Sequence, residues 1–197
     1  MAIDIRVLTP KNGLTAHLNG LARLRLQVFR DWPYLYEGSD AEEKEYLSAF
    51  AESPGAVCVA AFDNDRMIGA STGLPLRDEH DEFKQPFIDA GHDISKIFYC
   101  AESVLLPAYR KQGIYRHFFD GREHHARSFD AYTEIVFCGV IRDEDHPLRP
   151  KDASPLDPVW RHFGYAPYLG LTASYHWRDV GEEKETLKDL QFWGKAL

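Results

Sequence analysis

Residues 97–127 read IFYCAESVLLPAYRKQGIYRHFFDGREHHAR, and three kinds of local structure follow one another along them. An apolar, strand-like run from Ile97 to Leu106 ends at Pro107. A basic turn, Arg110-Lys111-Gln112-Gly113-Ile114-Tyr115, comes next, and a helix-like segment runs from Ile114 to Phe129. A strand, a tight turn and a helix in that order aim backbone N–H groups and the positive end of a helix dipole at one spot, which suits a phosphate or pyrophosphate. Gly113 has no side chain to hold a ligand away from the main chain. Arg110 and Lys111 add charge-assisted hydrogen bonds, each worth about 1.5–3 kcal/mol. A plain strand-to-helix connection needs only the glycine, so the rest of the chain has to decide.

Working outward, Ile3, Ile5 and Val7 alternate with polar residues as in a half-buried strand, and Leu14, Leu18, Leu21, Leu24 and Val28 recur at helical spacing. After the breakers Pro33 and Gly38, Asp40 to Phe50 reads as a second helix with an acidic start. Val57–Phe62 and Met67–Leu76 flank Asp63-Asn64-Asp65 and predict a hairpin. A short helix around Phe83–Ile88 fits the acidic segment that follows, and Glu134–Val140 reads as a buried strand. The charged, proline-rich stretch from Arg142 to Pro158 predicts a surface loop, long enough to border a site. Asp157 is placed to cap a short helix with Pro158 at its first position and Gly164 at its stop. Strand-like runs follow at Tyr165–Tyr168 and Leu171–Trp177; the last twenty residues carry no clear pattern. The order of elements predicts an α/β sandwich on a mixed sheet, in one domain spanning residues 1–197.

Bulk composition narrows the function classes. Hydrophobic content of 44% and charged content of 27% are those of an ordinary globular chain. No apolar run approaches the ~20 residues that span a bilayer, and MAIDIRVLTP lacks the pattern of a secretory signal, so no membrane association and a cytoplasmic location are expected. A formal charge of −8 argues against a nucleic-acid partner and is compatible with a cationic substrate. Cys58, Cys100 and Cys138 lie inside apolar runs, as buried free thiols do. His117, Glu123, His124 and His125 lack ligand spacing on a helix, so a solvated face accounts for them and no metal is expected.

The turn Arg110–Tyr115 resembles the Q/R-x-x-G-x-G/A signature of the GNAT superfamily of acetyl-CoA-dependent N-acetyltransferases in every fixed position except the last, where Tyr115 stands for Gly or Ala. The element order from Ile3 to about Trp177 is similar to that fold, which implies a mixed, mostly antiparallel central sheet with helices on both faces. The resemblance implies that acetyl-CoA binds here. The main-chain amides of Lys111 to Tyr115 (through Gln112, Gly113 and Ile114) would hold its pyrophosphate, with Arg110 adding charge. Val104 and Leu105 would pair with the pantetheine arm like an added strand. Tyr115 either turns its ring aside or narrows the site.

Amine acetylation needs a neutral amine, so a base must take a proton and an acid serves the leaving thiolate. Glu102 is the carboxylate within the apolar run before Pro107, and GNAT enzymes often carry their base on that strand. The helix PVWRHFGY resembles the family's late helix, but Trp160 occupies the position where many relatives have Tyr, and indole is no acid. Tyr165 or Tyr132 is the substitute acid, with His162 a weaker choice, or the thiolate leaves into solvent. Between the first two helices, DWPYLYEG offers Trp32, Tyr34 and Tyr36 as substrate-binding aromatics, through cation–π attraction of ~0.5–2 kcal/mol, and Asp31 and Glu37 favour a cation. The function expected is transfer of acetyl from acetyl-CoA to a primary amine, on a small molecule or a peptide, by direct attack on the thioester. A non-catalytic coenzyme A-binding sensor and an interaction protein are the alternatives. Exposed strand edges and the Phe192–Trp193 pair permit a homodimer.

Overall fold

Alternation along residues 4–8 buries Leu8 and makes Asp4–Leu8 the first strand, β1, in a computed structural model that describes residues 3–197. Helix α1 (Leu14–Phe29) buries Leu14, Leu21 and Leu24 on one stripe. Helix α2 (Asp40–Glu52) starts in a capping box: the Ser39 hydroxyl accepts from the Glu42 N–H, and the Ser39 N–H donates to the Glu42 carboxylate at 2.7 Å. The predicted hairpin forms as β2 (Val57–Asp63) and β3 (Arg66–Pro75), both deeply buried. The short acidic helix is α3 (Asp81–Asp89).

The run expected as one strand, Ile97 to Leu106, is two: β4 (Ile97–Tyr99) and β5 (Ser103–Leu105). The Ala101 N–H donates to the Thr72 carbonyl while the Glu102 carbonyl accepts from the Thr72 N–H, so two residues oppose one and the ladder breaks there. Helix α4 (Ile114–Arg127) and β6 (Glu134–Val140) follow as expected. Helix α5 (Asp157–His162) has Asp157 as its first residue, not its cap; Leu156 precedes it without a side-chain cap. The two short strands expected next are one, β7 (Ala166–Trp177), whose register shifts between Pro167 and Thr172, around Gly170 at φ +81°.

The unassigned tail forms β8 (Thr186–Ala196), inserted between β6 and β7. Sheet order is β1-β2-β3-β4-β6-β8-β7, with β5 paired to β3; among the strand pairs of the described residues, the β4–β6 pair alone is parallel. Phe192 and Trp193 are buried within β8, so the aromatic pair expected to support a dimer belongs to the core. Glu102 points to α1 and Leu105 packs towards Phe118 of α4, so strand alternation places α1 and α4 on opposite faces. Helices α2 and α3 share a cavity with α1, and Phe163 after α5 stacks on Phe119 of α4 at 4.1 Å. The three cysteines are free and buried. No helix of the described residues is long and apolar enough to cross a membrane.

Candidate active site

The sheet opens where β4 ends. Strand β4 runs parallel to β6 as far as Tyr99 opposite Val136, and the Cys100 N–H donates to the Val136 carbonyl at 2.7 Å. Beyond that point β5 stays with β3 while β6 continues beside β8. Glu102 and Leu106 both bond to β3 through their main chains, so alternation directs the main-chain groups of Ser103 and Leu105 away from β3, into the gap. Of the expected pair, Leu105 turns its main chain into the gap and Val104 turns its own to β3, while Ser103 faces the gap beside Leu105.

The turn after β5 is built to leave amides free. Gly113 sits at φ +80° and Lys111 at φ +63°, and no side chain caps the start of α4. An added Cβ at Gly113 would touch nothing within 4 Å, so its requirement is conformational. Arg110 Nε donates to the Leu105 carbonyl at 3.3 Å, and Gln112 Nε2 donates to the Ala108 carbonyl at 3.1 Å, which ties the turn to the strand end. The ring of Tyr115 turns aside: its hydroxyl donates to the Ser103 carbonyl at 3.3 Å and its face packs on Phe118 and Phe119.

Neither a family model nor a curated protein sequence matches the chain. Solved structures match along the whole length. A ribosomal-protein-alanine N-acetyltransferase from Brucella melitensis is 14% identical at a TM-score of 0.62, with 98% of this chain and 99% of that one covered. A GNAT-family acetyltransferase from Streptococcus pneumoniae is 14% identical at 0.58 over 100% of both chains. An aminoglycoside 6'-N-acetyltransferase complexed with coenzyme A is 15% identical at 0.60, covering 98% and 96%. The chain has the GNAT fold.

On the opposite face of this GNAT sheet, helices α1–α3 and β7 enclose a cavity of about 220 Å³. Aromatic rings line it, among them Tyr34, Tyr36, Tyr46, Phe83, Tyr99, Tyr175 and Trp177, with the carboxylates of Glu42, Glu43, Glu79, Glu102 and Glu185. Of the three aromatics expected to bind substrate, Tyr34 and Tyr36 are here. Trp32 is not among the lining residues; its ring lies 5.3 Å from that of His146.

Glu102 reaches the cavity within a buried triad. Arg25 Nη1 donates to Glu102 Oε2, and Arg25 Nε donates to Glu43 Oε2 at 2.5 Å. Two carboxylates thus share one guanidinium. Burial pushes the Glu102 carboxyl upward, against the pull of Arg25. Burial also opposes the Arg25 charge, but Glu102 and Glu43 outweigh it and hold the guanidinium above its ordinary value. Glu102 Oε1 and the Thr72 hydroxyl are both fully buried, and the hydroxyl helps Arg25 to hold the carboxyl down.

Tyr165, expected with Tyr132 as an alternative to supply the acid, lies elsewhere. It is 2% exposed, its hydroxyl donates to Glu123 Oε1 at 3.3 Å, and its ring sits between Phe119 and Phe137. Trp160 packs over Gly139, where a Cβ would come within 2.6 Å of the indole. Among the described residues no group of three or more His, Cys, Asp or Glu side chains is placed to hold a metal.

Sequence reasoning missed Glu79 in the cavity wall and Arg142 behind the wall that carries Tyr34. Glu79 stood in an acidic segment with nothing to distinguish it. Arg142 appeared only as the first residue of a loop, yet it braces the turn that carries Tyr34. It donates to the carbonyls of Pro33 and Tyr34 at 2.8 and 2.6 Å and to both oxygens of Asp179 at 2.6 and 2.9 Å. Trp177 Nε1 donates to the same Tyr34 carbonyl at 3.0 Å. The expected loop therefore meets the DWPYLYEG turn through one guanidinium.

Proposed function

We propose that the chain transfers an acetyl group from acetyl-CoA to a primary amine. The observation that carries this reading is the junction of two half-sites. On one side of the sheet, uncapped α4 amides lie beside the edge of β5, where the N–H groups of Ser103 and Leu105 face away from β3. On the other lies an aromatic, carboxylate-lined cavity reached by Glu102 from the residue before Ser103. The shared fold with a coenzyme A complex supports the assignment of the first half-site. The anionic lining of the second supports a cationic acceptor.

In this reading the amides of Lys111 to Tyr115, with Arg110 and Lys111, hold the pyrophosphate, and the edge of β5 holds the pantetheine arm. The bound thioester supplies an activated acetyl group. Tyr115 fits because its hydroxyl already satisfies the Ser103 carbonyl from the side, leaving the turn itself unfilled. Lys111→Ala is expected to weaken acetyl-CoA binding about tenfold, the loss of one charge-assisted contact of about 1.4 kcal/mol. Titration calorimetry of both proteins checks it, and equal affinities would remove Lys111 from the site.

A coenzyme A-binding regulator is the second reading, favoured by one observation: Tyr165 is buried against Glu123 and not at the cavity. Thermal shift with acetyl-CoA, run beside amine-dependent thiol release, separates the two. A shift with turnover supports transfer; a shift without turnover across an amine panel supports the regulator.

A further inference from the structure

Glu79 differs from every other carboxylate at the cavity. It follows the short turn after β3, its side chain is 4% exposed, and no arginine or lysine pairs with it among the described residues. One oxygen, Oε1, accepts the His80 N–H at 3.0 Å and lies 3.9 Å from His80 Nε2. The other oxygen receives no hydrogen bond from the described residues. Glu102, by contrast, spends Oε2 on Arg25, and its Oε1 is fully buried. Glu43 likewise spends both oxygens on Arg25. A buried carboxylate with no arginine or lysine against it, and only a half-exposed histidine beside it, is costly unless a ligand supplies a full cation.

We infer that Glu79 receives the acceptor's ammonium group and takes its proton, and that the acceptor is a small amine carrying one aromatic ring. This rests on the acetyl-transfer reading and moves the base from Glu102 to Glu79. The size follows from the cavity: about 220 Å³ lies below the ~300–1,000 Å³ of pockets for larger ligands. The ring follows from the walls, where Phe83 lies 5.5 Å from Tyr99 and 5.4 Å from Tyr175 between ring centres. One proton passes from the ammonium to Glu79. The freed nitrogen lone pair forms the C–N bond as the acetyl C–S bond breaks, the sulfur keeping that electron pair. The second N–H proton leaves with the sulfur. The first proton then leaves Glu79 for solvent beside His80, whose side chain is 43% exposed and stacked on Tyr46.

The groups facing Glu79 set the direction of its titration. Burial raises it most; the His80 N–H and the charges of His80 and Arg25 pull it down, and Glu102 pushes it up. From the packed strands and α2, the phenols of Tyr46, Tyr99 and Tyr175 and the Cys138 thiol feel its charge. A raised carboxyl becomes a base as pH climbs above the ordinary carboxylate range, so activity gains a rising limb there.

The test compares phenethylamine with 2-phenylethanol, its neutral counterpart, by calorimetry on wild type, Glu79→Gln and Glu79→Asp, alongside the pH dependence of kcat/KM for phenethylamine. Unchanged acetyl-CoA affinity and thermal unfolding certify that each variant is folded. Wild type is expected to prefer the amine at least about tenfold. Glu79→Gln should abolish that preference and the rising limb, cutting kcat/KM about a hundredfold, and Glu79→Asp should restore both in part. No preference in wild type, or a preference and limb that survive in Glu79→Gln, overturns the inference while turnover leaves acetyl transfer standing. A Glu79-dependent preference with no amine acetylated overturns acetyl transfer and leaves Glu79 as an ammonium site.

Discussion

Replacing Arg25 with Met is expected to cost about 3–5 kcal/mol of folding stability, because it leaves two buried carboxylates without their shared cation. Glu43 is 1% and Glu102 6% exposed, so neither recovers the loss by hydration. The deficit should depend on pH with a definite sign. Without Arg25 the Glu102 carboxyl, already pushed upward by burial, loses the pull that opposes it, so stability is retained below the ordinary carboxylate range and lost as pH climbs through the raised value. Urea unfolding at about pH 4 and about pH 8 should therefore show the larger deficit at the higher pH. A loss under about 1 kcal/mol, the scale of exposed pairs, would show that the triad is held by something other than Arg25. The double variant Glu43→Leu, Glu102→Met in the Arg25→Met background should return towards wild-type stability, since an apolar cluster of similar volume replaces the ions.

Arg142→Met is expected to cost a comparable ~3–5 kcal/mol and, in addition, to raise KM for the amine more than it lowers kcat. The guanidinium is 8% exposed as a side chain and closes four hydrogen bonds between the loop after β6, the Pro33–Tyr34 turn and Asp179. Its loss frees the wall of the cavity that carries Tyr34, while the α4 turn is untouched. Asp179 adds an acid-side signature. Burial opposes its charge, but hydrogen bonds from Arg142 and the charge of Lys188 prevail and hold its carboxyl below the ordinary value. Such a group stabilises the fold above the unfolded carboxylate pKa, and that stability is lost as pH falls through the depressed value. Arg142→Met should erase this part of the acid-side loss. Equal acid midpoints in the two proteins, or a KM unchanged for the amine, would count against the strut.

Much of the fold was legible because local signals agreed with tertiary structure. Residues 97–127 carried strand, turn and helix in the correct order, and Gly113 stood where a left-handed backbone was required. The hairpin was legible from Asp63-Asn64-Asp65, whose turn needs Asn64 at positive φ. Strand β8 was hidden because one of its inward positions is a lysine: Lys188 is 8% exposed, with Nζ donating to the Trp177 carbonyl at 3.2 Å. Charge at a core-facing position erased the alternation on which the reading depended. Strand β7 looked like two strands because its register shift falls at Gly170, a legitimate turn residue used here within a strand.

The site was legible in its main chain and obscure in its side chains. A glycine and a basic pair sufficed to locate the α4 turn. Glu102 was conspicuous as a charge in an apolar run, but Arg25 lies 77 residues away and looked like one of several arginines on a helix. Which carboxylate is neutralised and which is free depends on such long-range pairing. That is why Glu102 stood out in the sequence and Glu79 did not.

The most direct measurement of the central claim is the mass of phenethylamine and of related amines after incubation with the protein and acetyl-CoA, quantified against release of free thiol. Acetyl transfer predicts one acetylated amine for each thiol released, with no release when amine is omitted. Thiol release that ignores the amine, or acetyl-CoA bound without any acetylated product, would contradict it.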